Sequence, residues 1–508
     1  MSDASVLPEN PPPLPAGAAS PPINLRDFPD RLTPMLVKEL RQGMRSPIFV
    51  WGFLVLHAVL VLVTLITLNA GDKEDSSYFF WWALILVMVV LIPLRGFNAL
   101  AEEQRMNTLD TLVLTKLTAW RITFGKWCAI LAQSGLIAVT VLPYLVMRYF
   151  GGAVDVAREL LWLLNYLIVA ATFAAATVGF SWIKNFFVRG IFTLSALGGI
   201  IAFCTFTCSE ILVERGFSYS RSIAPVEIQF YSVFWGTALF LTFYLLDMGA
   251  AQLAPLSENR SSLRRLVTLA VAAGVTGLCF ADLAPLALAL VSALTLLGGI
   301  DAATEEPRHL SVIYRPFVNR GMLGRLAGRL FYPGWHTGTF FLLLLLSLTF
   351  FAVFATTDHL SSTLSRVAGA ATRWHWELVA AFAGGSAQLL CGLVVQRLLF
   401  KRTASPFATQ VLIQAAMQLL LGLLVLLGDS LNENDLVWIG FPFPLSANYR
   451  LEMGPRGLNT ETTAMVSLLY LAIYAAALMA LTIPEFKKTR HAERSALEEG
   501  PPPTEDPI

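Results

Sequence analysis

Read for polarity alone, the chain alternates long apolar runs with short polar connections. Twelve runs, at about 48–69, 79–96, 121–147, 159–181, 190–212, 230–252, 266–281, 284–300, 337–357, 376–398, 408–428 and 464–484, come near the length of a membrane-crossing helix. That length is roughly 20 residues, set by hydrocarbon thickness and helical rise. The seventh and eighth runs are short: they read as a hairpin turning at Ala281-Asp282-Leu283, or as one long helix with Asp282 buried inside it.

Charge separates these two readings. With the hairpin, nine of the 36 Lys and Arg residues (Lys73, Arg148, Arg158, Arg215, Arg221, Arg366, Arg373, Arg450 and Arg456) fall outside, and the others line the inner connections. A single helix would put Arg260, Arg264 and Arg265 on the opposite side from the five arginines of 308–329. Basic residues concentrate in cytoplasmic loops, so the expected fold is all-α and polytopic, with about 12 transmembrane helices and both termini cytoplasmic. Trp51, Tyr78, Trp81, Trp82, Trp335, Trp374 and Trp376 stand near run ends, where an interfacial aromatic belt belongs.

The polar ends divide the chain further. Residues 1–30 are Pro- and Ala-rich and read as a disordered lead, lacking both the basic and the apolar region of a secretory leader. In 31–47, Thr33 is a natural N-cap and Pro34 fits the first helical position. On a helical wheel Leu36, Val37, Leu40 and Met44 share one arc, with Lys38, Arg41 and Arg45 opposite. That pattern predicts an amphipathic helix lying on the lipid bilayer. Residues 48–255 and 256–484 then form two six-span units, with 485–508 a cytoplasmic, disordered tail and 429–463 an outer loop. The inner loop 301–336, with Glu305-Glu306 and Arg320, Arg325 and Arg329, holds the same place in the second unit as 98–120 in the first, and two related halves are expected.

Composition agrees. With 56% hydrophobic and 14% charged residues and a mean hydropathy of +0.62, lipid must solvate most of the chain. A net charge of +1 supplies no basic footprint for nucleic acid. The five cysteines (Cys128, Cys204, Cys208, Cys279, Cys391) and six histidines lack metal-ligand spacing. WRITFGKW superficially resembles a phosphate loop, but Trp120 replaces the first glycine and Trp127 the hydroxyl residue, so no nucleotide site is expected. No catalytic, cofactor-binding or metal-ligating set stands out, and the expectation is not an enzyme. Asp247, Glu210 and Asp282 lie near run ends, leaving His57 as the deepest titratable group, read as a packed neutral side chain.

One polar stretch asks for more than solubility. In 98–127, Glu102, Glu103 and Arg105 form a charged head, and Asn107 and Thr108 can cap a short helix over Leu109–Leu114. Leu109, Leu112 and Val113 give that helix one apolar face, and Thr118 can cap the next helix, which enters the membrane past Arg121 and Lys126. A short amphipathic helix on a membrane loop suits docking into a groove on a soluble partner.

The order of interfacial helix, two spans and then Glu102, Glu103, Arg105, Thr108, Leu109, Asp110, Leu112, Thr115, Leu117, Trp120, Ile122, Gly125 and Lys126 resembles the permease subunits of the ABC type-2 exporter superfamily. LVKELRQGMRSP resembles the opening helix of that family, and the likeness covers roughly residues 31–255. The resemblance implies a permease in the bacterial inner membrane that binds no cofactor and docks a separate ATP-binding subunit, which hydrolyses the ATP. It makes 98–120 the coupling loop, with Leu109, Leu112 and Val113 buried against the partner and Glu102, Glu103 and Arg105 as polar contacts. Family permeases commonly have six spans and pair, so this longer chain either completes the pathway itself or associates with a second permease chain. The alternatives are a self-contained secondary carrier and a non-transporting scaffold that recruits a soluble complex.

Overall fold

A computed structural model describes residues 34–69, 73–101, 118–150, 156–215, 225–255, 257–278, 284–364, 370–400, 403, 405–431 and 460–498. All regular structure among them is helical. α1 (Pro34–Met44) precedes the first unit, which comprises α2 (Pro47–Asn69), α3 (Lys73–Leu84), α4 (Ala119–Phe150), α5 (Val156–Phe180), α6 (Phe186–Arg215) and α7 (Pro225–Leu253). It is followed by α8 (Ser261–Gly277), α9 (Ala284–Thr304), the short α10 (Ser311–Val318) and α11 (Gly321–Phe331), then α12 (Trp335–Leu364), α13 (Ala370–Leu399), α14 (Pro406–Leu431) and α15 (Thr460–Glu498).

Every apolar run is therefore helical over its described residues. Ten helices among the described residues are long and apolar enough to cross a membrane, and the chain is a multi-pass membrane protein. The two runs outside that set are α8, at 17 residues, and α6, whose described apolar part is Phe186–Ile201. The seventh and eighth runs are separate antiparallel helices, because Ser261 meets Glu305 while Gly298 faces Thr268. The single long helix is thereby excluded.

The largest apolar core joins α2–α7, and Phe407 of α14 closes it against Phe192 of α6. Others join α9, α12, α13 and α15. Phe240 and Tyr244 of α7 share a core with Ala272, Leu294 and Phe341 from α8, α9 and α12, so the units meet through packed side chains. Glycine allows the closest approach: a Cβ on Gly179 of α5 would strike the Leu245 carbonyl of α7.

One expectation fails. The tail was expected to be disordered from residue 485, but α15 runs on through Pro484 to Glu498. The reason is packing: Ala492 and Ala496 bury against Ile313, Tyr314, Val318 and Tyr332, and Thr489 meets His336 at 2.8 Å. The Tyr314 hydroxyl donates to the Arg308 carbonyl at 3.2 Å, and burial pushes that phenol up to about 12, keeping it neutral.

Candidate functional site

Glu102, Glu103, Arg105, Thr108, Leu109, Asp110, Leu112, Val113, Thr115 and Leu117 lie outside the described residues; their flanks are described. After α3 the chain enters a π-helical stretch, Ile85–Leu91, and then a 3₁₀ stretch, Pro93–Asn98. Ile92 N–H reaches back five residues to Val87 O at 3.0 Å. Pro93 cannot continue that pattern because it has no N–H to give Met88 O. Ser134 of α4 donates to Met88 O at 3.3 Å instead, and Thr177 of α5 donates to the Pro93 carbonyl at 2.8 Å. Leu100 N–H is received by Ser181 at 3.0 Å. The broken second span is thus fastened to α4 and α5 by side chains that take over its displaced backbone bonds.

On the far side of 102–117, Thr118 caps α4 as its sequence position predicts, receiving the Arg121 N–H at 3.4 Å. Lys126, buried about two turns past Thr118, pairs with Glu39 of α1 at 2.8 Å. Arg95 donates to the Gly43 carbonyl at 2.9 Å and also bonds Gln133. Gly43 is buried, and a Cβ there would run into Gln133. On α1, Leu36 and Leu40 are half-buried while Lys38 and Arg41, with Arg45 just beyond, are exposed; Met44, placed on the apolar arc, is 47% exposed. Val37, Lys38, Arg41, Gln42 and Arg45 line an open basic groove.

A second polar assembly lies at the same end of the bundle, where Gly249 of α7 meets Leu100 and Gly179. Asp247 of α7 binds Arg260 at 2.5 Å and lies 3.9 Å from Arg264. Arg264 pairs with Asp301 of α9 at 3.1 Å, and Tyr244 donates to the same carboxylate at 2.8 Å. Arg265 is 3% exposed and bonds Glu305 at 2.8 Å. It also donates to the carbonyls of Leu330, Tyr332 and Gly334, at 3.0, 2.7 and 3.1 Å. Arg397 of α13 stacks over Trp335 at 4.4 Å and donates to Ala303 O at 2.8 Å.

Of this assembly, sequence reasoning singled out Asp247, the Arg260 cluster, Glu305 and Trp335 without joining them. A signal was present: Arg260/Arg264 and Asp301/Glu305 are each spaced i, i+4, so each pair occupies one helical face. At the far end, about 33 Å along α4 from Lys126 by helical rise, Arg148 pairs with Glu159 at 2.8 Å and lies over Phe80. His57 is packed as expected, its Nδ1 on Phe53 O at 2.9 Å and its ring between Phe53 and Tyr144.

No family model, curated protein or solved structure matches this chain. The site must be read from its own chemistry. Among the described residues no three His, Cys, Asp or Glu side chains gather as a metal site. Cys128 and Cys391 carry no disulfide. WRITFGKW is the first turns of α4. What the arrangement can do is mechanical: it clamps the helices entering and leaving 102–117 to their neighbours.

Proposed function

We propose that this chain is the permease subunit of an ATP-driven exporter of the ABC type, without ATPase activity of its own. In this reading 98–120 docks a separate ATP-binding subunit, and both termini are cytoplasmic in a twelve-span bacterial inner-membrane protein. The observation that carries it is the fastening of both flanks of that loop. The irregular second span is bonded to Ser134, Thr177 and Ser181, and the start of α4 is paired to α1. A displacement imposed on the loop would move α1, α3, α4 and α5 as one block, as rigid-body switching requires. The basic residues at 95, 126, 189, 260–265 and 397 share one end of the bundle, which supports placing that end in the cytoplasm.

The secondary-carrier reading ranks below this one. The buried carboxylates Asp247 and Asp301 already serve arginines near helix ends, and mid-membrane His57 is engaged by Phe53. The test is affinity purification of the solubilised chain beside Leu109→Asp/Leu112→Asp, with mass spectrometry of what accompanies each. An ATP-binding subunit present with the wild type and lost from the charged variant is the expected result. Absence of any ATPase from both, repeated after cross-linking in intact membranes, removes the exporter reading and puts the carrier first.

A further inference from the structure

The connection from α9 to α12 carries a surface that the mechanism above does not use. The packed side of α11 is made of glycine: a Cβ at Gly324 would strike the Phe317 carbonyl, and one at Gly328 the Tyr332 ring. The opposite arc presents Met322, Leu323 and Leu326, exposed by 84%, 80% and 59%. Arg325 and Arg329 occupy the adjoining arc and are also exposed. Large apolar side chains this open are ordinary on a span, where lipid covers them, but α11 is not a span.

The position of α11 is fixed. Arg265 holds the Leu330 and Tyr332 carbonyls, and Ser262 donates to Phe331 O at 2.6 Å. Four residues after Phe331, Trp335 begins a membrane-spanning helix. The C-terminal end of α11 is therefore pinned beside the start of α8 and of the membrane-spanning α12, and α8 exposes Leu263 and Leu266 beside the bonded Ser262. An apolar arc edged by arginines at that position matches the headgroup boundary: the side chains enter the acyl region while the guanidinium groups reach phosphate.

We propose that α11 is an interfacial helix that inserts Met322, Leu323 and Leu326 into the adjacent leaflet and binds anionic phospholipid headgroups through Arg325 and Arg329. Charge complementarity selects anionic lipid, since juxtamembrane basic residues are attracted to a negatively charged leaflet. This site stands whether or not an ATP-binding subunit docks on 98–120.

The test places the photocross-linker p-benzoylphenylalanine at Leu323 and, separately, at Leu326 of the full chain. Each protein is irradiated in vesicles of equal parts phosphatidylethanolamine and phosphatidylglycerol, and also in native membranes. Phospholipid adducts at both positions are expected, with the phosphatidylglycerol share reduced several-fold by Arg325→Gln/Arg329→Gln. Both positions are open to solvent, so neither probe disturbs the packed glycine face. Cross-linking in native membranes to a protein chain instead of lipid overturns the proposal, as does the lack of lipid adducts at both positions. A phosphatidylglycerol share unaffected by the arginine variant overturns the headgroup assignment.

Discussion

Arg265 joins four segments of the chain. Its guanidinium ties α8 to Glu305 at the end of α9, to the Leu330–Gly334 turn and to Thr337 at the start of α12. Truncation would strip Glu305 of its ion-pair partner and the Leu330 carbonyl of this donor, leaving the Ser261 hydroxyl and the Gly334 N–H on the carboxylate. Removing one member of a buried ion pair costs about 3–5 kcal/mol. Arg265→Ala should therefore lower the thermal unfolding temperature sharply, read by fluorescence-detected size-exclusion chromatography of the solubilised protein. Arg265→Lys should recover only part, since one ammonium cannot span the positions that the planar fork reaches. Full stability in Arg265→Ala would show that these bonds add nothing net.

At the scale of elements, the second span is the irregular one. A π stretch followed by proline leaves backbone carbonyls without helical partners, and within lipid such groups must be satisfied by protein. Thr177 also bonds Ala174 O in its own helix, so its hydroxyl is shared between α5 and the Pro93 carbonyl. Each bond contributes on the order of 1 kcal/mol net. Thr177→Val with Ser181→Ala should thus cost about 2 kcal/mol by the same rule. It should also speed amide hydrogen exchange over Pro93–Ala101 while leaving α13 unchanged. Uniform exchange in both proteins would mean that the break holds itself. The C-terminal helix carries the complementary lesson. A basic, Glu-rich tail reads as solvated, but small residues at 492 and 496 let it lie against Tyr314 and Tyr332.

For the whole molecule, the two units form one bundle, joined by the Tyr244–Asp301 and Arg260–Asp247 bonds and the Phe192–Phe407 contact. Its polar ends are unlike. One gathers the arginine network, Lys126 and the α10–α11 connection, and the other carries the Arg148–Glu159 pair. If the first end is cytoplasmic, single cysteines placed at Lys184 and Lys487 should react with an impermeant maleimide only after permeabilisation. One placed at Phe150, 79% exposed at the other end, should react in intact cells. The background would have its native cysteines replaced by alanine. The reverse pattern would invert the topology.

Much of this architecture is legible in the residue pattern, because a helix in lipid has no outside partner for its backbone and must bond internally wherever about 20 apolar residues recur. The same local logic located the α1 helix, the Thr118 cap and the division of α8 from α9. The residues at 102–117 proposed to dock a partner were expected from capping, from periodicity and from the family resemblance; they lie outside the described residues, and their flanks are tied to named partners. Local pattern could not supply the matching of charges across distant segments. Arg264 finds Asp301 and Lys126 finds Glu39 only when helices far apart in sequence lie side by side. Nor could it show which apolar faces stay open. Leu323 and Leu390 are alike as letters, but one is 80% exposed beside arginines and the other fully buried in the α9–α12–α13–α15 core. Burial belongs to the neighbours a residue acquires, and those are set by tertiary packing.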